Sequence, residues 1–377
     1  MKPSPADDLG PLAGYTVGLT AARRADEFAA LLERRGATVM QAPAIRILPL
    51  ADDAELRRVT RQVIADPPQI MVATTGIGFR GWIEAAYEWD LADDLLDALG
   101  RTRLLARGPK ATGALRAAGL REEWSPASES SAEVLEHLRA EGIDGLRVAV
   151  QLHGATTEWE PLPDFSQGLR SLGADVTAVS VYRWTPPTDP TALDRLLEST
   201  LARTVDLLAF TSAPAVASLL GRARETGILD RLLKVLREDV VCACVGPVTA
   251  GPLEALEVPT VQPARFRLGA LARLVGEELS GRSRLIEIGA HELNMRGQAV
   301  VLDGTLRPIS PAGMSLLREL TLQPGQVVSQ EKLLSRLPGR GADTHAVESA
   351  VARLRVALGD TSIVQTVTKR GYRLAVR

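Results

Sequence analysis

The fold of the first 280 residues follows from the stretch Asp-Leu-Leu-Ala-Phe-Thr-Ser at positions 206–212. It has the pattern of a short buried strand that ends in two hydroxyl residues directly before a helix. The earlier stretch Gln-Ile-Met-Val-Ala-Thr-Thr at 69–75 repeats this pattern, and a Gly-Pro turn follows each stretch, at 108–109 and 246–247. This repeat predicts two similar α/β halves built on mostly parallel strands.

A second pair of segments extends the repeat. Residues 16–20 and 146–150 are short runs with β-branched residues, which predict strands. Each run precedes a helical stretch, a glycine and another predicted strand. Hydroxyl residues and Gly-Pro turns at helix starts offer backbone N–H groups and the positive end of the helix dipole to an anion. Four such turns predict a crevice for a polycarboxylate or a phosphate, although ordinary helix capping explains any single turn.

Composition excludes several classes of protein. The chain has 377 residues, of which 45% are hydrophobic and 24% charged, so it is a globular protein of two or three domains and not a fibrous or largely disordered one. Its longest apolar runs are far too short to span a bilayer. The first residues lack a secretory pattern, so we expect a disordered tail over residues 1–12 and a cytoplasmic protein without membrane contact.

Cysteine and histidine give no sign of a metal or redox centre. Cys242 and Cys244 lie two positions apart on an apolar run, so they share a strand face, and we expect both to be reduced and buried. The four histidines are dispersed along the chain. We therefore expect no metal site.

Residues 14–280 resemble uroporphyrinogen-III synthase, a cofactor-free enzyme that cyclises hydroxymethylbilane. The resemblance implies two α/β domains joined by two crossing strands near residues 45–50 and 182–187, with one domain formed by 12–47 plus 186–280 and the other by 51–182. It rests on the order of short motifs, namely Gly14-Tyr15-Thr16-Val17, Gly36-Ala37, Thr74-Thr75, Gly108-Pro109, Gly173-Ala174, Val181-Tyr182, Phe210-Thr211-Ser212 and Gly246-Pro247-Val248-Thr249.

The resemblance also implies a site. In the family, backbone amides hold the substrate carboxylates in a cleft, and a tyrosine that matches Tyr182 assists departure of the hydroxyl group. The family commonly has arginines where this chain has Ala21 and Leu152-His153, and losing these bidentate partners favours ligand binding over catalysis. The implied ligand-binding residues are Arg23, Arg24, Thr74, Thr75, Gly108, His153, Tyr182, Thr211, Ser212 and Gly246, with Tyr182 catalytic if the chain is an active synthase.

The C-terminal region differs from the rest of the chain. Residues 282–377 contain 14 basic and 8 acidic residues, although the whole chain carries a net charge of −2, so this region suits an anionic partner. Its pattern predicts four short strands at 285–288, 293–295, 299–302 and 305–309, three helices at 312–321, 329–337 and 343–358, and a hairpin at 363–376. In the last helix Val347, Ala350, Val351, Leu354 and Leu358 fall on one face at helical spacing.

Residues 285–377 resemble the OmpR/PhoB-type winged-helix DNA-binding domain, giving an α+β winged helix-turn-helix domain after the two-domain α/β fold. The motifs are Ile309-Ser310-Pro311, Val351-Ala352-Arg353-Leu354-Arg355 and Gln365-Thr366-Val367 with Gly371-Tyr372-Arg373. The resemblance implies that the third helix enters the major groove and the wing the adjacent minor groove. By position, His345, Ser349 and Arg353 are candidates for base or phosphate contact, and Arg355, Lys369, Arg370 and Arg373 for backbone contact.

Three functions remain open from the sequence. The first is a transcription regulator whose synthase-like part senses a tetrapyrrole or nitrogen oxyanion, resembling the actinobacterial nitrate/nitrite assimilation regulators. Its expected partners are promoter DNA, a small anionic ligand in the interdomain cleft, a second transcription activator and a second copy of the chain. The alternatives are an active synthase with an added DNA-binding domain, and a DNA-bound scaffold with an empty cleft. The sequence contains no receiver domain, so we do not expect control by phosphorylation.

Overall fold

The computed structural model describes residues 9–49, 54–126, 131–152, 165–337 and 344–375. The chain divides into two compact units. Unit 1 comprises Met1–Ala44 and Asp189–Arg377, and unit 2 comprises Ile45–Thr188. The winged-helix region therefore belongs to the same compact unit as the first α/β domain.

The described elements alternate between strands and helices through both α/β domains. The strands are β1 (Thr16–Leu19), β2 (Thr38–Gln41), β3 (Arg46–Pro49), β4 (Ile70–Ala73), β5 (Arg103–Ala106), β6 (Arg147–Gln151), β7 (Asp175–Val179), β8 (Tyr182–Thr185), β9 (Leu207–Phe210), β10 (Val241–Cys244), β11 (Thr260–Val261), β12 (Arg284–Ile288), β13 (His291–Arg296), β14 (Ala299–Leu302), β15 (Thr305–Pro308), β16 (Val364–Val367) and β17 (Gly371–Leu374). The helices are α1 (Ala25–Glu33), α2 (Ala54–Ala65), α3 (Gly76–Glu88), α4 (Ala92–Gly100), α5 (Pro109–Ala117), α6 (Ser131–Glu141), α7 (Phe165–Ser171), α8 (Thr191–Leu201), α9 (Ala213–Glu225), α10 (Leu229–Glu238), α11 (Pro247–Glu254), α12 (Leu268–Gly281), α13 (Pro311–Thr321), α14 (Gln330–Arg336) and α15 (Thr344–Leu358).

The two α/β domains have matching parallel sheets. Strand order is β11-β10-β9-β1-β2 in unit 1 and β5-β4-β6-β7 in unit 2. β9 corresponds to β4, β10 to β5, β1 to β6 and β2 to β7, as the repeated sequence pattern predicts. The central strands are apolar and fully buried because helices cover both faces of each sheet. The α/β fold class predicted from the sequence is confirmed.

Strands β3 and β8 form a separate antiparallel ladder in unit 2. Pro49 pairs with Tyr182, and Arg46 pairs with Thr185. These are the two extended segments that the sequence predicts near residues 45–50 and 182–187. The ladder fixes the backbone position of Tyr182 within unit 2.

The C-terminal region has the predicted order of elements. β12 to β15 form an antiparallel sheet in sequence order, α13 to α15 follow, and β16 and β17 form the terminal hairpin. The core of this region includes the fully buried residues Ile288, Leu293, Leu317 and Leu358. This architecture confirms the predicted winged-helix fold.

The N-terminal tail is shorter than predicted. Leu12 is fully buried in the core of the first sheet, and its N–H donates to the carbonyl of Arg35 at 2.8 Å. Residues 9–12 therefore belong to the packed domain, because an apolar side chain at position 12 completes the contact with α12. Residues 1–8 of the expected tail lie outside the described residues.

The two cysteines lie on β10 as expected. Both are unpaired and buried, and burial raises the pKa of Cys242 to about 12. A thiol with so high a pKa is almost entirely protonated at neutral pH, so it is a poor nucleophile.

Candidate ligand site and DNA interface

In unit 2 the carboxyl end of β4 leads directly into α3. The Thr74 hydroxyl is buried and donates to the carbonyl of Gln151 at 2.6 Å. Thr75 is the extended N-cap of α3, and its hydroxyl accepts a hydrogen bond from the N–H of Gly78 at 3.1 Å. The two hydroxyl residues therefore anchor the strand end and cap the helix, which are structural tasks.

Tyr182 reaches the same strand end. Its hydroxyl oxygen lies 3.2 Å from the hydroxyl oxygen of Thr75, and the residue is 6% exposed. The Tyr182 ring also packs edge-on against Trp184, with ring centroids 5.9 Å apart. The structure thus brings together two residues that the sequence proposes for one site, although they are 107 positions apart.

Gln151 completes this cluster, and sequence reasoning missed it. Its side chain is fully buried at the end of β6, and its Oε1 accepts a hydrogen bond from the backbone N–H of Thr75 at 3.1 Å. Its Nε2 donates to the carbonyl of Leu152. A Cβ at Gly78 would overlap the Gln151 amide, so glycine is needed there. The glutamine thus occupies one of the N-terminal amides of α3, which an anion would otherwise bind. The sequence signal for Gln151 was a single polar residue at the end of the apolar strand β6.

Gly108 lies beside this cluster at the start of α5. It is the N-cap of α5, and Pro109 occupies the first turn. A Cβ at Gly76 would overlap the carbonyl of Lys110, so the first turns of α3 and α5 approach closely. Thr74, Thr75, Gly108 and Tyr182 are therefore neighbouring positions in unit 2, whereas His153 lies outside the described residues.

Unit 1 has an equivalent edge with different chemistry. Ser212 is the extended N-cap of α9 and directly follows Thr211, but its hydroxyl does not cap the helix. Gly246 is the buried N-cap of α11. A Cβ at Gly246 would lie 3.0 Å from the ring of Phe266, which is 48% exposed. Val248, on the first turn of α11, is 47% exposed, so Phe266 and Val248 together form an apolar surface at this edge. The sequence alone did not point to these two residues, because the site was predicted from groups that bind anions.

Arg23 and Arg24 follow β1 at this same carboxyl edge, since β1 and β9 are parallel neighbours. Both arginines are exposed. The Arg24 guanidinium donates to both carboxylate oxygens of Glu27, at 2.6 and 2.5 Å, while its backbone has a left-handed φ of 54°. The structure therefore gives Arg24 an internal partner.

The predicted faces of α15 are confirmed by burial. Val347, Ala350, Val351, Leu354 and Leu358 are at most 2% exposed. The opposite side presents His345, Ser349, Ala352, Arg353 and Val356, all exposed. The His345 ring lies 3.1 Å from the Glu348 carboxylate on the adjacent turn. This exposed face combines polar, basic and apolar groups, which are the kinds of group that read base edges in the major groove.

Arg355, a candidate for DNA backbone contact, makes hydrogen bonds within the domain. Its Nε and Nη2 donate to the carbonyl of Val364 at 2.8 and 2.6 Å, and Nη2 also donates to the hydroxyl of Thr366 at 2.9 Å. Its guanidinium also lies over the ring of Tyr372. Because the flank of α15 faces the hairpin, this arginine connects helix and wing within the domain, and its contact with a DNA backbone stays a prediction.

The wing tip carries the remaining predicted basic residues. Lys369 and Arg370 are exposed in the turn between β16 and β17, and the Arg373 Nε donates to Gln365 at 3.0 Å. Lys369 has a left-handed φ of 60°, a conformation that costs a non-glycine residue about 1–2 kcal/mol. At Gly371 a Cβ would overlap the carbonyl of Val328, so the wing needs its glycine two positions after Lys369.

Two kinds of feature are absent from the described residues. Within them, no group of three or more histidine, cysteine, aspartate or glutamate side chains is arranged to hold a metal ion. None of their helices combines the length and apolar character needed to cross a membrane.

The fold and these surfaces define a fusion of a two-domain α/β protein with a winged-helix DNA-binding domain. Residues 26–273 match the family model described as uroporphyrinogen-III synthase HemD. The chain belongs to the uroporphyrinogen-III synthase family, because this match spans more than half of it. Residues 304–374 match the model described as transcriptional regulatory protein, C terminal, so a response-regulator-type DNA-binding domain is fused to the synthase-like part.

Individual proteins are similar to different portions of the chain. A mutant uroporphyrinogen III synthase from Thermus thermophilus is 30% identical, covers 71% of this chain and 100% of its own, and superimposes with a TM-score of 0.60. The Bacillus subtilis protein YjjA is 28% identical over 261 residues, covering 69% of this chain and 94% of that protein. The transcriptional regulatory protein CseB of Streptomyces avermitilis is 31% identical over 173 residues, covering 42% of this chain and 72% of that protein.

Proposed function

We propose that the protein is a transcription regulator that binds promoter DNA through its winged helix and a small anionic ligand through its synthase-like part. DNA binding is supported chiefly by the two faces of α15: one face is buried in the domain, and the other exposes Ser349 and Arg353. The exposed basic tip at Lys369 and Arg370 adds phosphate contacts.

The ligand is a tetrapyrrole or a nitrogen oxyanion, and the regulated genes serve nitrate and nitrite assimilation. The carboxyl edge in unit 1 supports a tetrapyrrole more than a simple oxyanion. Phe266 and Val248 offer apolar surface for pyrrole rings, and the amides at the starts of α9 and α11 suit carboxylates. A small oxyanion would use the amides alone.

An active synthase is the second candidate, and Tyr182 favours it. Its hydroxyl is within hydrogen-bonding distance of Thr75 at a helix N-terminus, where a proton could be donated to a departing hydroxyl group. Gln151 argues for binding without catalysis, because its side chain already accepts from the Thr75 N–H. Cyclisation of hydroxymethylbilane by the wild type and by Tyr182→Phe separates the candidates: type III product that the variant loses establishes the synthase, and type I product alone excludes it.

The DNA side is tested by selection from random-sequence DNA, followed by fluorescence anisotropy on the selected site. Arg353→Ala should weaken binding to this site, whereas Arg273→Ala, which removes an exposed arginine of α12, should leave it unchanged. Equal binding of selected and random DNA by the wild type would contradict the proposal.

A further inference from the structure

The turn between β13 and β14 joins the winged helix to the first α/β domain. We call the two residues of this turn, Gly297 and Gln298, the docking turn. The Gln298 N–H donates to the carbonyl of Gly14 at 3.0 Å, and its Nε2 donates to the carbonyl of Arg203 at 2.7 Å. These bonds connect a DNA-binding domain to the amino edge of the sheet in unit 1.

Asp206 lies at the centre of this contact. Its Oδ2 accepts a hydrogen bond from the N–H of Thr16 at 2.8 Å. A Cβ at Gly297 would overlap that oxygen and would lie 2.8 Å from the carbonyl of Gly14. Only a residue without a side chain allows this approach, and the backbone φ of 51° at Gly297 also favours glycine.

The first helix of the winged helix holds the turn from its other side. Arg318 in α13 donates through Nη2 to the carbonyl of Gly297 at 2.9 Å. A cavity of about 1210 Å³ adjoins this contact, bounded by Arg203, Gln298, Arg318 and Leu322. Part of the space between the two domains is therefore unfilled, and the hydrogen bonds of the docking turn cross beside it.

Strand β9 connects the docking turn to the ligand positions of the same sheet. Asp206 directly precedes β9, while Thr211 and Ser212 directly follow it. Six residues of extended chain span roughly 20 Å. The exposed face of α15 takes no part in the docking contacts described above, so docking leaves the DNA-reading residues accessible.

We infer that the docking turn holds the winged helix and the first α/β domain together as one rigid body. We infer further that a ligand bound at the carboxyl edge of the sheet changes the DNA affinity of the winged helix through this contact. The second part of this inference rests on the proposed function. A ligand changes DNA affinity only if the protein has two conformations that bind the ligand with different affinities and also bind DNA with different affinities. A rigid docking turn would make the winged helix change its position together with the first α/β domain.

The test compares the double variant Gly297→Ala/Gln298→Ala with the control Gly289→Ala/Gln323→Ala. Gly289 has a left-handed φ of 60° in the neighbouring hairpin turn, but a Cβ there would meet only Ala375 at 3.8 Å. Each double variant therefore strains one turn, but only Gly297→Ala/Gln298→Ala disturbs the docking turn. Gln298→Ala alone, with Gln323→Ala as its control, covers the case in which the double variant does not fold.

Hydrogen exchange of the full chain is the first measurement. If the docking turn holds the two domains together, the backbone amides of position 298 and of Thr16 should exchange at least about tenfold faster in the docking variant than in the wild type and the control. Equal exchange in all three proteins would overturn the inference.

DNA affinity without a ligand and with uroporphyrin III, nitrate or nitrite is the second measurement. The docking variant should keep its basal DNA affinity within about threefold and lose the ligand response that wild type and control show. A retained response would overturn the coupling. A wild type that responds to none of these compounds would instead contradict the proposed function. The exchange result would then test only whether the docking turn holds the two domains together.

Discussion

Replacing Asp206 with asparagine should stabilise unit 1 at neutral pH. Burial raises the pKa of Asp206 to about 6 from an ordinary 3.8, although the hydrogen bond from Thr16 and the positive charge of Arg318 both act in the opposite direction. The cost of removing the carboxylate from water therefore exceeds the benefit of its partners. Asparagine keeps an oxygen that can accept from Thr16 and removes the charge.

The magnitude follows from the shift. The difference between about 6 and 3.8, at about 1.36 kcal/mol per pKa unit, sets an upper value of about 3 kcal/mol. Asp206 is only partly buried, so solvent screens the penalty, and we expect about 1–3 kcal/mol. A carboxyl with a raised pKa holds its proton more tightly in the folded state. This penalty is therefore absent below about pH 4 and fully present above the folded pKa of about 6.

The assay is the denaturant dependence of amide exchange in β1 and β9 at pH 5 and pH 7.5. The free energy of unfolding of Asp206→Asn should exceed that of the wild type at pH 7.5, and the difference should shrink at pH 5. Asp230→Asn, at an exposed aspartate of α10, is the control and should show no such pH-dependent gain. Lower stability of Asp206→Asn at pH 7.5, or a pH profile parallel to that of the wild type, would contradict this expectation.

Three further predictions concern the DNA-binding domain and unit 2. Arg353→Ala should weaken specific DNA binding by about 1–3 kcal/mol, measured by anisotropy. The two ring nitrogens of His291 lie 2.5 Å from Asp303 and 3.0 Å from Asp360, and the hydrogen bond to Asp303 chiefly raises the pKa of His291 above its ordinary 6.5. The stabilisation by protonated His291 is therefore complete below pH 6.5 and is lost as pH rises through the raised pKa. The melting temperature of the wild type should therefore fall more between pH 6 and pH 8.5 than that of His291→Gln. Gln151→Leu should destabilise unit 2 by about 1–3 kcal/mol because it leaves the partly buried N–H of Thr75 unpaired. Tryptophan fluorescence reports on this unit, since all five tryptophans lie between residues 82 and 184.

Local patterns made much of the fold predictable. The repeat between residues 69–75 and 206–212 specifies strands followed by helices. Similar local patterns led to the same order of four corresponding strands in the two units, and unit 1 adds β11 at one edge. The spacing of Val347, Val351 and Leu354 determined which face of α15 is buried. Both features depend on residues close together in the chain, which is the range over which periodicity carries information.

The missed features depend on contacts between distant residues. Gln151 meets Thr75 across 76 positions, and Gln298 meets Arg203 across 95. Arg355 was proposed as a contact to the DNA backbone from its position in the motif, and the sequence did not reveal that its guanidinium donates to the carbonyl of Val364. No local pattern distinguishes an arginine that faces solvent from one that faces a neighbouring hairpin.

Control of DNA binding by a ligand of the synthase-like part is the core of the proposed function. Its decisive test is fluorescence anisotropy of the full chain on its selected DNA site, with and without uroporphyrin III, nitrate and nitrite. We expect at least one of these compounds to change the dissociation constant by about fivefold or more. Dissociation constants that stay the same with all three compounds would show that the synthase-like part does not control DNA binding through these ligands.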